Sequence, residues 1–171
     1  MPYLLRLFYL LIATAHLPAF ASDCPCLKGM MILGTYEKAT LENIKRLTVD
    51  ALIDSGATTT ALDAKNIRMY INRKGQRWVY YDFKHKPSGK IVSMHQPVSR
   101  VARIITHKGA PSERAVIRNT VSIGKTVKYV EMSLINRSRF PQQLLIGRNF
   151  LNNTALIDSG QQFLQKTRST P

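Results

Sequence analysis

The sequence predicts an all-β domain, on three observations. Short runs rich in β-branched and apolar residues recur along the chain. Turn chemistry separates them at regular intervals, and helix signals are few. Many short strands punctuated in this way form a sandwich or a barrel.

The first element is a leader. Arg6 precedes the apolar run Leu7-Phe8-Tyr9-Leu10-Leu11-Ile12-Ala13, and Pro18-Ala19-Phe20-Ala21 offers small residues in an A-x-A arrangement. The run is short for a membrane span, so residues 1–21 read as a secretory signal cleaved after Ala21, which places the mature chain in the periplasm. The alternative is an uncleaved leader that anchors it to the inner membrane. Residues 22–29 form a short N-terminal segment with Cys24 and Cys26 on either side of Pro25. A disulfide closed over one intervening residue is strained, and two thiols are too few for a metal.

Strands are then predicted at Met30–Leu33 and Leu47–Ile53. Trp78–Phe83 and Lys90–Met94 flank the turn Lys86-Pro87-Ser88-Gly89. Val101–Thr106 and Arg114–Arg118 flank a second turn, His107 to Ser112, and Thr120–Ile123 and Thr126–Leu134 flank Gly124-Lys125. Single helical turns are expected at Thr60–Asn66 and Arg148–Asn152. The length of 171 residues fits one domain with its own core. The apolar and charged fractions are those of a globular protein, which excludes wholesale disorder. A net charge of +15 attracts polyanions, so an anionic envelope component is a possible partner. Nucleic acid is not expected, because no basic–aromatic motif stands out beyond the ordinary strand Arg77 to Phe83.

The stretch that carries chemistry is Leu52-Ile53-Asp54-Ser55-Gly56-Ala57-Thr58-Thr59. An apolar strand would aim the Asp54 carboxylate into a cleft, and Gly56 allows a tight turn whose N–H can reach it. Downstream, Leu144-Leu145-Ile146-Gly147-Arg148-Asn149-Phe150-Leu151 is an apolar strand that ends at glycine and opens into a short helix. Asp-Ser-Gly alone is common in turns; the pairing of the two segments is far more specific.

Together these motifs, with Ile32-Leu33-Gly34, Ser112-Glu113-Arg114 and Asn136-Arg137-Ser138, make residues 30–160 resemble a bacterial family of retropepsin-like aspartic peptidases. That family often bears the label "ATP-dependent zinc protease". The residues give the label no support, since neither a phosphate-binding G-x-x-x-x-G-K-[ST] nor H-E-x-x-H is present. His85, His95 and His107 read as surface histidines, and neither a metal nor another cofactor is expected.

The resemblance implies a one-lobe acid-protease barrel with a flap hairpin, a short helix after the Gly-Arg segment, and a polar tail at 161–171. It implies Asp54 as the single catalytic aspartate, with Ser55, Gly56, Ala57 and Thr58 supporting the loop and Ile146, Gly147 and Arg148 packing behind it. The flap tip would be Lys108, Gly109 and Ala110. One aspartate per chain makes a homodimer a condition of peptide hydrolysis. The alternatives are a non-catalytic peptide-binding domain on the same fold, or a basic adaptor for polyanions at the envelope. Viral relatives carry an acid where this chain has Thr58, so Arg148 must find a hydroxyl, backbone carbonyls or Asp63 instead.

Ala51 to Gly56 recurs letter for letter as Ala155 to Gly160. A two-lobed enzyme with Asp54 and Asp158 as its dyad would require an apolar-apolar-Gly segment tens of residues after each aspartate. Only thirteen residues follow Asp158, so Asp158 is expected to leave the terminal strand without a catalytic role. Arg103, Lys108 and Arg114 near the flap hint at acidic substrates.

Overall fold

A computed structural model describes residues 29–104 and 112–167. Twelve strands and one helical turn follow in order: β1 Met31–Leu33, β2 Tyr36–Leu41, β3 Leu47–Ile53, β4 Thr60–Asp63, β5 Lys65–Ile71, β6 Arg77–Lys84, β7 Ile91–Pro97, β8 Arg100–Ile104, β9 Ser112–Ile123, β10 Thr126–Ile135, β11 Leu144–Ile146, α1 Arg148–Leu151 and β12 Ala155–Ile157. The all-β expectation holds.

Six strands close into a barrel in the order β10-β4-β11-β3-β2-β9, with β9 returning to β10. Closure leaves these strands no free edge. Two pairings are parallel: β3 with β11, and β4 with β10. β9 does two jobs. Its second half is a barrel strand on β10 and β2, while Ser112–Val116 leaves the barrel to pair with β8 as a hairpin. The two runs read from sequence on either side of Asn119 are therefore one strand, since a buried Asn119 does not interrupt it.

Alternation explains which residues fill the barrel. In β3, Val49, Ala51 and Ile53 face inward and Asp50 faces water. They meet Leu41, Leu62, Ile117, Ile123, Met132, Leu134, Leu144 and Phe150 in one cluster, each large apolar side chain contributing roughly 1.5–3 kcal/mol on burial.

A three-stranded antiparallel sheet, β5-β6-β7, lies beside the barrel. Val79, Tyr81, Phe83 and Val92 on its inner face join the barrel core. The helical turn expected over Thr60–Asn66 is instead strand β4 and the start of β5. Thr60–Asp63 is gripped between β10 and β11, and long-range pairing overrides a weak local signal. His85 also departs from expectation. It is buried, with Nδ1 2.7 Å from Ser88 Oγ and Nε2 2.9 Å from the Thr48 carbonyl, and it anchors the β6–β7 turn.

β1 and β12 form a small parallel sheet of their own. After β12, the segment read as a polar tail docks on the barrel as far as Gln165. The Glu37 carboxylate, fully buried, accepts the N–H groups of Gly34, Leu164 and Gln165 at 2.7, 3.1 and 3.0 Å.

Candidate active site

β3 delivers Asp54 to the mouth of the barrel, where it is partly exposed. Its Oδ1 accepts the N–H groups of Gly56 at 2.9 Å and Ala57 at 3.2 Å. No described residue bonds Oδ2, which leaves that oxygen free for a ligand. The loop is held from behind by β11 and α1. Asp54 N–H donates to the Ile146 carbonyl at 3.0 Å, Arg148 N–H to Ala57 at 2.8 Å and Asn149 N–H to Thr58 at 3.2 Å. Gly147 permits this approach: a Cβ there would lie 2.8 Å from Thr59 C and 2.9 Å from the Ala57 carbonyl oxygen.

Arg148 is satisfied without an acid. One guanidinium nitrogen donates to the carbonyls of Ser55 and Gly56 at 3.1 and 2.9 Å, and the other to the Thr58 hydroxyl at 2.8 Å. Asp63, the acid weighed as its partner, accepts the Arg137 backbone N–H at 2.7 Å instead.

Sequence reasoning missed several parts of this scaffold. Asn149 Oδ1 accepts both the N–H and the hydroxyl of Thr60, at 3.0 and 2.8 Å, and its Nδ2 donates to the Glu131 carbonyl at 2.7 Å. Glu131 ties down the base of the β8 hairpin: its carboxylate accepts Ser99 Oγ and Arg100 Nε, each at 2.7 Å. These bonds hold its pKa below the ordinary glutamate value, Ser99 and then Arg100 contributing most. Arg100 also reaches the Thr59 hydroxyl at 3.2 Å. Only the Asn149 position carried a hint, as part of the helix after Gly-Arg.

A cleft of about 530 Å³ opens beside the loop. Ala57, Thr58 and Thr59 form its floor, Val101, Arg103, Ile104 and Arg114 its hairpin wall, and Ile135, Arg137 and Leu145 its far side. Arg137 is buried, which lowers its pKa against the pull of Asp63 and Asp54. With Arg100 the lining holds four guanidinium groups. The hairpin is where a flap was expected; the proposed tip, Lys108, Gly109 and Ala110, lies outside the described residues.

The second Asp-Ser-Gly ends β12, as expected, but the reasoning from missing partners is corrected. Met31-Ile32-Leu33-Gly34 stands to β12 as Leu144-Leu145-Ile146-Gly147 stands to β3, and it comes from the front of the domain. Asp158 is exposed, with Gly160 N–H on its Oδ1 at 2.9 Å.

A closed barrel with an apolar strand running into Asp-Ser-Gly, an apolar-Gly-Arg segment behind it, and a hairpin walling the cleft define a one-lobe aspartic-peptidase fold. The chain belongs to the RimB-like family, described as the retropepsin-like aspartic endopeptidase RimB, whose model matches residues 32–168. A solved structure of a protein of unknown function from Legionella pneumophila superimposes with a TM-score of 0.65 at 29% identity, covering 79% of this chain and 98% of that one. Among curated proteins, chains named probable alpha-L-glutamate ligase from Shewanella pealeana and Desulfotalea psychrophila are each 28% identical over 77% of this chain. The matched part is 29% and 28% of those relatives, so this chain spans under a third of their length.

Proposed function

We propose that the protein is an aspartic endopeptidase in which Asp54 of one chain pairs with Asp54 of a second copy. The observation that carries this reading is the Asp54 loop itself: a carboxylate fixed through one oxygen by two backbone N–H groups, with no described residue on the other oxygen, in a loop whose Ala57 and Thr58 floor a substrate-sized cleft. Two such carboxylates face to face cannot both ionise, so the pair keeps one proton. The ionised member takes a proton from water, the water oxygen bonds to the peptide carbonyl carbon, and the protonated member donates to the carbonyl oxygen. Collapse of the tetrahedral intermediate breaks the C–N bond, and a proton from the dyad goes to the leaving amine.

The two-stranded β1–β12 sheet supports the dimer. Among the described residues β12 has β1 as its one partner strand, and Ile32, Leu156 and Ile157 expose 52, 41 and 37% of their surface. An unpaired edge with apolar side chains is ready to add strands from a twofold mate. The four arginines of the cleft favour acidic peptides. The curated relatives, named glutamate ligases, point in the same direction, to polypeptide rich in glutamate. The leader-like sequence of residues 1–21 supports export of this activity to the periplasm. The test is cleavage of a glutamate-rich peptide and a matched glutamine-rich one, with mass recorded by light scattering. Cleavage that rises with dimer fraction and prefers the acidic peptide supports the reading; a wild-type dimer inert on both peptides from pH 3.5 to 7.5 overturns it.

A further inference from the structure

The three-stranded sheet holds a second site that the peptidase reading does not use. Residues 65–99 contain eight lysines and arginines against one acid, Asp82, so this sheet region is strongly cationic. Strand register places Arg68, Tyr80 and His95 in one cross-strand row, Tyr70, Trp78 and Pro97 in the next, and Asp82 beside Ser93 in a third. All belong to the face opposite Val79, Tyr81 and Phe83, which point into the core.

Exposed aromatic side chains are grouped here. Tyr80 and His95 stack at 4.0 Å and 8°, Tyr70 lies 5.5 Å from Tyr80 at 16°, and Trp78 is 4.8 Å from His95. The Tyr70 hydroxyl and His95 Nε2 are 2.9 Å apart, which locks the rings together. Tyr80 and Tyr70 are nevertheless 48 and 38% exposed. Beside them a recess of about 460 Å³ is lined by Asn66, Arg68, Tyr80, Asp82 and Ser93. Asn66 Nδ2 and Ser93 Oγ each donate to Asp82 at 2.7 Å and, with Arg68, hold its pKa below the ordinary aspartate value. A carboxylate has about four acceptor sites, so Asp82 keeps capacity for donors from a ligand.

We propose that this recess binds an acidic saccharide, with a sugar ring against Tyr80, its carboxylate on Arg68 and its hydroxyls on Asp82 and Asn66. Arg68 in the recess and the basic excess of residues 65–99 favour a polyanion. Among polyanions, a fixed acceptor such as Asp82 suits hydroxyl-rich sugar, whose hydroxyls can donate to it, whereas a phosphodiester group has no donor to offer. β7 passes through Val98 and Ser99 into the cleft wall at Arg100, so a bound glycan would station the cleft beside the polymer. Sequence alone hid the site, since its residues come from three strands and only the β6 run is contiguous.

Trp78 is the sole tryptophan, and its contact with His95, which stacks on Tyr80 of the recess, makes it a reporter of that aromatic row. The full chain is titrated with a galacturonic acid pentamer, its methyl ester and dT12, following Trp78 fluorescence. The expected result is saturable binding of the pentamer, weakened at least tenfold by Tyr80→Ala and by Arg68→Ala, weakened by Asp82→Asn, and absent with the ester. Near-UV circular dichroism checks that each variant is folded. No binding of the pentamer, tighter binding of dT12, or pentamer binding indifferent to Tyr80→Ala in a folded variant would overturn the proposal. Peptide cleavage is not part of the readout, so the outcome is independent of the peptidase reading.

Discussion

The chain folds the same six residues, Ala-Leu-Ile-Asp-Ser-Gly, twice, and the two copies share most of their bonds, although the Ala57 N–H on Asp54 Oδ1 has no counterpart among the described bonds of Asp158. Asp54 N–H donates to Ile146 at 3.0 Å and Asp158 N–H to Leu33 at 2.8 Å. The third residue after each aspartate, Ala57 or Gln161, returns its N–H to the aspartate carbonyl at 3.3 Å and accepts an N–H at 2.8 Å, from Arg148 or Thr35. Each carboxylate accepts its loop glycine at 2.9 Å. What differs is the neighbourhood. Arg148 bonds three groups of the first loop, while Thr35 in the matching place sends its hydroxyl to Gln161. The first loop floors a cleft between arginines and a hairpin; the second is exposed beside a two-stranded sheet. The loop conformation is thus a property of two parallel strands and a close-packed glycine. A site needs walls as well.

Substitution of the aspartates tests that contrast most strongly. Asp54→Asn should lower kcat/KM by about 10³-fold, within the usual range for a lost general acid–base group, whereas Asp158→Asn should leave it within about twofold. A peptide-cleavage assay on both decides. The glycines come next. A Cβ on Gly34 would meet the Gln161 carbonyl oxygen at 2.6 Å, a clash comparable with that at Gly147. Both Gly→Ala variants should lose roughly 1–3 kcal/mol in urea unfolding, but Gly147→Ala alone should also depress kcat, because the backbone it displaces carries Asp54.

A smaller effect is expected at Thr58. Thr58→Val removes the hydroxyl acceptor of Arg148 and should cost about 0.5–1.5 kcal/mol, read by thermal unfolding, with no counterpart at the Asp158 loop. The smallest concerns Glu131. Its depressed pKa in the folded state stabilises the fold above the unfolded glutamate pKa of about 4.3. That contribution is lost as pH falls through the lower folded value. Stability measured down to pH 3 should show this slope, and Glu131→Gln should flatten it.

Much of the barrel was legible because its strands announce themselves. β3, β6, β7 and β10 are alternating or β-branched runs closed by turn residues. Asp54, Gly147 and Arg148 were legible because catalysis and close packing constrain residue type at fixed spacing. Thr60–Asp63 was misread because its state is decided by β10 and β11, which lie more than seventy residues away. The partner strand of Asp158 was missed for a similar reason: Met31–Gly34 precedes it by over a hundred residues, and nothing local marks the pairing. Asn149 and Glu131 act through backbone groups of other segments, which no periodicity reveals.

Glu37 gives the fold an order of assembly. Two of the three N–H groups that satisfy its buried carboxylate belong to residues 127 and 128 positions later in the chain. A nascent chain that has emerged only through β11 holds this side chain with the Gly34 N–H alone, and a buried, under-bonded polar group opposes closure of β2 against its neighbours. Such non-local closure is paid for in loop entropy before it is rewarded, which slows folding. The bonds that complete the seat of Glu37 therefore become available only once synthesis has passed residue 165.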